Sequence, residues 1–225
     1  MAHIYKVGFE IEGGWDGAKG VAPCNKGKNC CSWIADGSIN GQQLAEDPIA
    51  ATHVGECVSA PIPFEGAWKE WLQTHWPNAT NKKHRTNNTC GLHIHISVES
   101  LKDYTLLTSK RFLLDVQANL LEAGRVRGLP GNHYYWGRIQ GNNPFCLLDF
   151  NAVAQMRLGD KAGIHKERYG WMNFAWNIHG TIEFRAFPTF VTAEEALFFT
   201  ETYLNFVEDW LERNSARPLV REFSL

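Results

Sequence analysis

The sequence predicts an α+β fold in one domain, a sheet with helices layered on one face, and three observations carry that prediction. Several short stretches alternate apolar and polar residues at a period of two. Other stretches repeat apolar residues every three or four positions. In three widely separated alternating stretches, the polar set consists of ionisable groups, so each has one face suited to a helix layer and one that is not. With 225 residues, 44% apolar content and nine tryptophans, the chain can bury a sizeable core.

Charge and cysteine usage narrow the class. A formal net charge of −2 and a pI near 6.5 argue against a protein built to coat nucleic acid or an anionic membrane, so any basic site is local. The opening "MAHIYKVGFEIE" lacks the pattern of a signal peptide, and no run of about 18 apolar residues offers a membrane span. A cytoplasmic protein that does not enter membranes is the expectation. Cysteines at 24, 30, 31, 57, 90 and 146 are then expected as free thiols. The cluster "CNKGKNCC" lacks a standard zinc spacing and leaves both metal binding and plain thiols open.

Along the chain, residues 3–12 read as a strand with Tyr5, Val7, Phe9 and Ile11 on one side and Lys6, Gly8, Glu10 and Glu12 on the other. A short strand at 53–60, stopped by Pro61, carries Glu56 in phase with Val54 and Val58. Trp68, Leu72 and Trp76 recur at helical spacing. Residues 90–98, "CGLHIHISV", place His93, His95 and Ser97 on one strand face and Leu92, Ile94, Ile96 and Val98 on the other. Residues 100–123 form a helix along Leu106, Leu113, Val116 and Leu120.

Residues 124–145, rich in Gly, Asn, arginine and aromatics, show little periodicity and read as a long loop, either a lid or a plain insertion. Arg125, Arg127 and Arg138 on it either recognise an anion or lie on the surface. Residues 173–187 read as two strands broken around Gly180, the second with Ile182, Phe184 and Ala186 on one side and Thr181, Glu183, Arg185 and Phe187 on the other. Thr192 and Glu195 form a capping box before a helix striped by Leu197, Leu204, Val207 and Leu211. "SARPLVREFSL" reads as a packed or frayed tail, and no repeat or linker divides the chain.

The polar faces need an explanation. Glu10 and Glu12 repel each other, and burying either without a partner costs several kcal/mol, whereas a divalent cation turns that repulsion into attraction. An E-x-E or H-x-H pair alone is common on a solvated surface. Three such faces in one chain point to a metal site.

Taken together and in this order, "VGFEIE", "GECVSAP", "CGLHIHIS" and "TIEFRAFP" resemble the amidoligase branch of the carboxylate–amine ligase superfamily, which includes glutamine synthetase and glutamate–cysteine ligase. The likeness runs from Gly8 to Pro188. It implies a glutamine synthetase-like, mainly antiparallel sheet curved into a half-barrel, with helices on the convex face and ATP with Mg²⁺ or Mn²⁺ on the concave one. By the same likeness, Glu10, Glu12, Glu56, His93 and Glu183 are metal ligands. Arg185 grips the transferred phosphoryl group, and His95 and Ser97 lie near the nucleotide. Asp36 in "ADGSI" corresponds to the element that holds or deprotonates the amine, although Asp-Gly-Ser is also an ordinary turn. Arg168 and Asn173 in "HKERYGWMN" would contact phosphate or substrate, while Lys166 and Arg168 fit a solvated face equally well.

The implied reaction joins a carboxylate to an amine through an acyl phosphate, with 124–145 closing over the site. The chain is much shorter than glutamine synthetase and has no counterpart of its N-terminal domain, so ammonia is not assumed as the nucleophile. A peptide, an amino acid or a modified nucleobase all fit as substrates, and oligomeric state is open. Two other classes stay in view. A metal-dependent hydrolase or oxygenase would use the H-x-H and carboxylates, and a non-catalytic binding module would tolerate their loss.

Overall fold

Alternation at the start of the chain becomes the centre of the sheet. In the computed structural model, which describes residues 2–15, 31–34, 39, 53–76, 84–149, 170–175 and 180–215, β1 (Ile4–Trp15) lies between β3 (His53–Ser59) and β6 (Gly91–Val98). β2 (Cys31–Ile34) flanks β3, while β8 (Thr181–Pro188) and then β7 (Met172–Ala175) continue beyond β6. The order is β2-β3-β1-β6-β8-β7, with the two-residue strands β4 (Ile62–Pro63) and β5 (His84–Arg85) also pairing with β1. Each of these pairings is antiparallel, so the described residues form an α+β fold on an open antiparallel sheet. Such a sheet can keep one face dry and one polar.

The dry face carries Val7, Phe9 and Ile11 of β1, Leu92, Ile94, Ile96 and Val98 of β6, and Ile182 and Phe184 of β8, all within one buried cluster. Helices α1 (Trp68–His75), α2 (Leu101–Leu107), α3 (Lys110–Arg127) and α5 (Ala193–Ser215) supply much of the rest, and α4 (Tyr134–Ile139) adds Tyr135 and Ile139. Each large apolar side chain buried there contributes about 1.5–3 kcal/mol of transfer free energy. The long α5 packs on α1, α2 and α3, and Thr192 caps it by accepting the Glu195 amide at 3.1 Å, as the capping box predicts. Among the described residues, no helix is long and apolar enough to cross a membrane.

Four local features depart from the sequence reading. A bulge between Ile4 and Lys6 turns Tyr5 outward, 59% exposed, and puts Ile4 in the core instead. On β8 the ladder steps from Leu92↔Phe187 to Ile94↔Phe184, three residues against two, so Phe187 joins the core rather than the polar face. The helix expected over 100–123 is two helices, because Ser109 accepts the Phe112 amide and caps a second start. Residues 124–145 are not an irregular loop. They hold the last turn of α3, a left-handed Gly128 that ends it, and α4, whose Tyr135, Arg138 and Ile139 are buried. α4 reaches α3 closely at Gly124, where a Cβ would stand 2.7 Å from atoms of both Tyr135 and Trp136. Glycine and aromatics served this contact, which hid the helical period.

Candidate metal centre

Register brings the polar sets of β1, β6 and β8 into one patch. Glu10 stands opposite His93, Gly8 opposite His95, and His95 opposite Glu183. Directly opposed residues of antiparallel strands share a face, with Cβ atoms about 4.5–5.5 Å apart. Next door, Glu12 stands opposite Glu56 of β3, and Glu183 opposite Asn173 of β7. Glu56 therefore lies on the polar face although its strand neighbours Val54 and Val58 are apolar.

His93 is 1% exposed and sits at the hub. Its Nδ1 is 3.0 Å from Glu10 Oε2 and 3.4 Å from Glu183 Oε1, and its Nε2 is 3.5 Å from Glu12 Oε1. His95 Nε2 meets the other Glu10 oxygen at 3.1 Å. Glu183 accepts from Arg185 Nη1 at 2.5 Å and from Asn173 Nδ2 at 2.8 Å. Glu12 is 4% exposed and accepts the Gly91 amide at 2.5 Å, which ties it to the start of β6.

Glu10, His95 and Glu183 each present one donor atom, and the three lie within 4.8 Å of one another. An ion with bonds of about 2.1 Å needs donors about 3–4 Å apart, so a small side-chain adjustment closes the set. Two carboxylates and an imidazole form a mixed oxygen and nitrogen donor set for a divalent cation.

Electrostatics fit the same reading. Burial pushes the Glu10 carboxyl up, but the hydrogen bonds and charges of His93 and His95 outweigh it and hold it far below the usual carboxylate range. Burial likewise pushes Glu183 up, and the charges of Arg185, His93 and His95 bring it down. For His95, burial lowers the pKa, while the Glu10 hydrogen bond and the charges of Glu183 and Glu10 raise it overall.

These shifts set a pH dependence in metal-free protein. A histidine raised by folding stabilises the fold fully below its unfolded value of 6.5, and that contribution is lost as pH rises through the higher folded value. The lowered carboxylates stabilise above their ordinary 4.5, and that contribution is lost as pH falls. Melting temperature is therefore expected to fall on both sides, and His95→Gln to flatten the alkaline limb. Calorimetry from about pH 2 to about pH 9 reads this. An unchanged alkaline limb in the variant would detach it from His95.

Beside the cluster, a groove of about 600 Å³ runs over Lys6, Gly8, His95, Ser97 and Thr181, with Val58, Pro61 and Val98 as apolar walls. Glu10 and His95 belong to both groove and cluster. Of the residues singled out in the sequence, Glu10, Glu12, Glu56, His93, His95, Ser97, Glu183 and Arg185 share this face. Asn173, expected toward phosphate or substrate, orients Glu183. Asp36, Lys166, Arg168, Cys24 and Cys30 lie outside the described residues.

Sequence reasoning missed two participants. Thr189 donates its hydroxyl to the Glu12 carbonyl at 2.7 Å; its place just past Pro188, next to the "E-x-R-x-x-P" stretch, is the only signal. Arg138, read as a lid or surface arginine, is 0% exposed and reaches the end of the patch, for which the sequence has no signal. Compared with known proteins, the chain matches no family model and no curated protein.

Proposed function

We propose that the chain is an ATP-dependent carboxylate–amine ligase that forms an amide through an acyl phosphate. One observation carries the reading: a convergent Glu10/His95/Glu183 donor set, with Arg185 against it, opens onto a groove large enough for a nucleotide. A half-barrel sheet of the glutamine synthetase kind belongs to the same proposal, as do the amide-forming roles that the sequence likeness implies.

In this reading the groove over Gly8 and Ser97 takes the nucleotide, with its phosphates toward Glu10 and His95. Glu10, His95 and Glu183 would hold a divalent cation, which would supply charge neutralisation on those phosphates. Arg185 holds the phosphoryl group while a substrate carboxylate oxygen bonds to the γ-phosphorus and the bond to ADP breaks. The amine then attacks the activated carbonyl, its proton passing to a base, the part that the sequence likeness gives to Asp36, and the carbonyl–phosphate bond breaks as phosphate leaves. Glu12 and Glu56 hold a second patch of negative charge beside the first, which suits a further cation.

A metal-dependent hydrolase is the second reading, favoured by the same donor set, but it leaves Arg185 without a task. Nucleotide dependence separates the two. At millimolar Mg²⁺ or Mn²⁺ with ATP, the melting temperature is expected to rise by several degrees above that with metal alone. A panel of acids and amines scored for phosphate release follows. Folded protein with no nucleotide-dependent shift would sink the ligase reading.

A further inference from the structure

Arg138 is among the largest fully buried side chains of the protein, and the reaction just described gives it no role. Its partners are main-chain oxygens. Nη1 donates to the carbonyl of Asn88 at 3.2 Å, 50 residues away, and Nη2 to the carbonyl of Arg185 at 3.1 Å, 47 residues away. Asn143 Nδ2 reinforces the first contact, donating to the same Asn88 oxygen at 2.8 Å.

The location matters. Arg185 sits where the β6–β8 ladder skips a residue, so its carbonyl needs an acceptor's partner from elsewhere. Trp171 O accepts the Arg185 amide at 2.9 Å, and Trp171 Nε1 donates to Arg138 O at 3.0 Å, so Arg138 and Trp171 hold the Arg185 backbone from both ends. The guanidinium also packs over the start of β6: a Cβ on Gly91 would lie 2.5 Å from Arg138 Nη2 and 2.8 Å from His93 Nε2. An apolar chain of similar volume would fill this space without the cost of burying a charge. What only a planar fork offers is two fixed donors at once.

We propose that Arg138 is a positioning residue of the metal centre, a clamp whose two nitrogens join the Asn88 turn to the β8 bulge and so set where Arg185 stands against Glu183. The inference rests on the ligase reading for what Arg185 does, and stands apart from it for the clamp itself.

Native-state hydrogen exchange on Arg138→Met, Arg138→Lys and Tyr135→Phe tests the clamp. Tyr135 lies on the same helix and donates its hydroxyl to Leu120 O at 2.6 Å, so its variant loosens packing without touching the clamp. The amides of Arg185 and Thr189 are expected to exchange about tenfold faster or more in both Arg138 variants, and to stay unchanged in Tyr135→Phe. Equal acceleration in Tyr135→Phe, or none in the Arg138 variants, overturns the proposal. Should Arg138→Met not fold, Arg138→Lys alone decides it. Where ATP-dependent phosphate release is measurable, kcat falls in Arg138→Lys with KM for ATP little changed, and adding Arg138→Lys to Arg185→Lys slows the reaction no further. Losses that multiply overturn action through Arg185. Wild-type protein without phosphate release removes the ligase reading, and the exchange result still decides the clamp.

Discussion

On the ligase reading, Arg185→Lys is expected to lower turnover about a hundredfold or more while ATP affinity changes only a few-fold. Arg185 and Glu183 side chains are 13% and 12% exposed, and one guanidinium nitrogen already holds Glu183. Burial pushes the guanidinium pKa down, but the carboxylates of Glu183, Glu12 and Glu10 raise it overall, so the group stays charged. Its Nε is buried and has no hydrogen-bond partner among the described residues. On the ligase reading, a phosphoryl group would take up the donor capacity that Glu183 leaves to the guanidinium. A lysine keeps the charge and can satisfy Glu183, but it is a mobile point that cannot hold Glu183 and two phosphoryl oxygens together. If Arg185 served only to neutralise Glu183, the lysine variant would melt slightly lower and turn over at the wild-type rate per folded molecule. Phosphate release and melting temperature measured on one preparation distinguish these outcomes.

Glu10→Gln is expected to weaken Mn²⁺ binding by about 100-fold or more, beyond the roughly 10–100-fold typical of outer-shell partners. Both Glu10 oxygens are engaged, one by each histidine, and the carboxylate is one of three converging donors. Glutamine keeps the shape and an acceptor oxygen but removes the charge that draws a cation into a patch of four carboxylates. Metal-free stability should fall too, because the lowered Glu10 carboxylate is favoured by the fold. The variant loses charge-assisted hydrogen bonds to His93 and His95 of about 1.5–3 kcal/mol each, offset only in part by the desolvation cost that a neutral glutamine avoids. Mn²⁺ titration followed by electron paramagnetic resonance, with melting on the same sample, reads both. Affinity within about threefold of wild type would show that these donors do not hold the ion.

How much of this was legible in the sequence depends on which residues decide each feature. Alternation in β6 placed His93 and His95 on one face because every second residue there is apolar and buried without interruption. The same rule failed at Tyr5 and Phe187, where a bulge shifts parity by one. A bulge depends on the neighbouring strand's register, which one strand's own pattern does not contain. Glu56 had the opposite problem: its strand showed no polar face, and only pairing with Glu12 reveals its side. The break at Ser109 was written as a cap but lay inside an unbroken apolar stripe. Arg138 had no signal at all, since a buried arginine bound to main-chain carbonyls leaves no periodic trace.

Assembly of the metal centre from β1, β6 and β8 has a consequence for how the protein is made. His93 lies 83 residues from Glu10, and the tie from Thr189 back to Glu12 closes 177 residues. A ribosome emits β1 before its neighbours, and the edges of that strand stay unpaired until β3 and β6 have followed, with β8 later still. Contacts so distant in sequence form late and slowly. If the cluster holds a cation, binding would report completion: a nascent or truncated chain lacking β8 has no Glu183 and no Arg185, and cannot close the donor set however well its earlier helices have folded. Metal uptake during synthesis would then be a clock for β8.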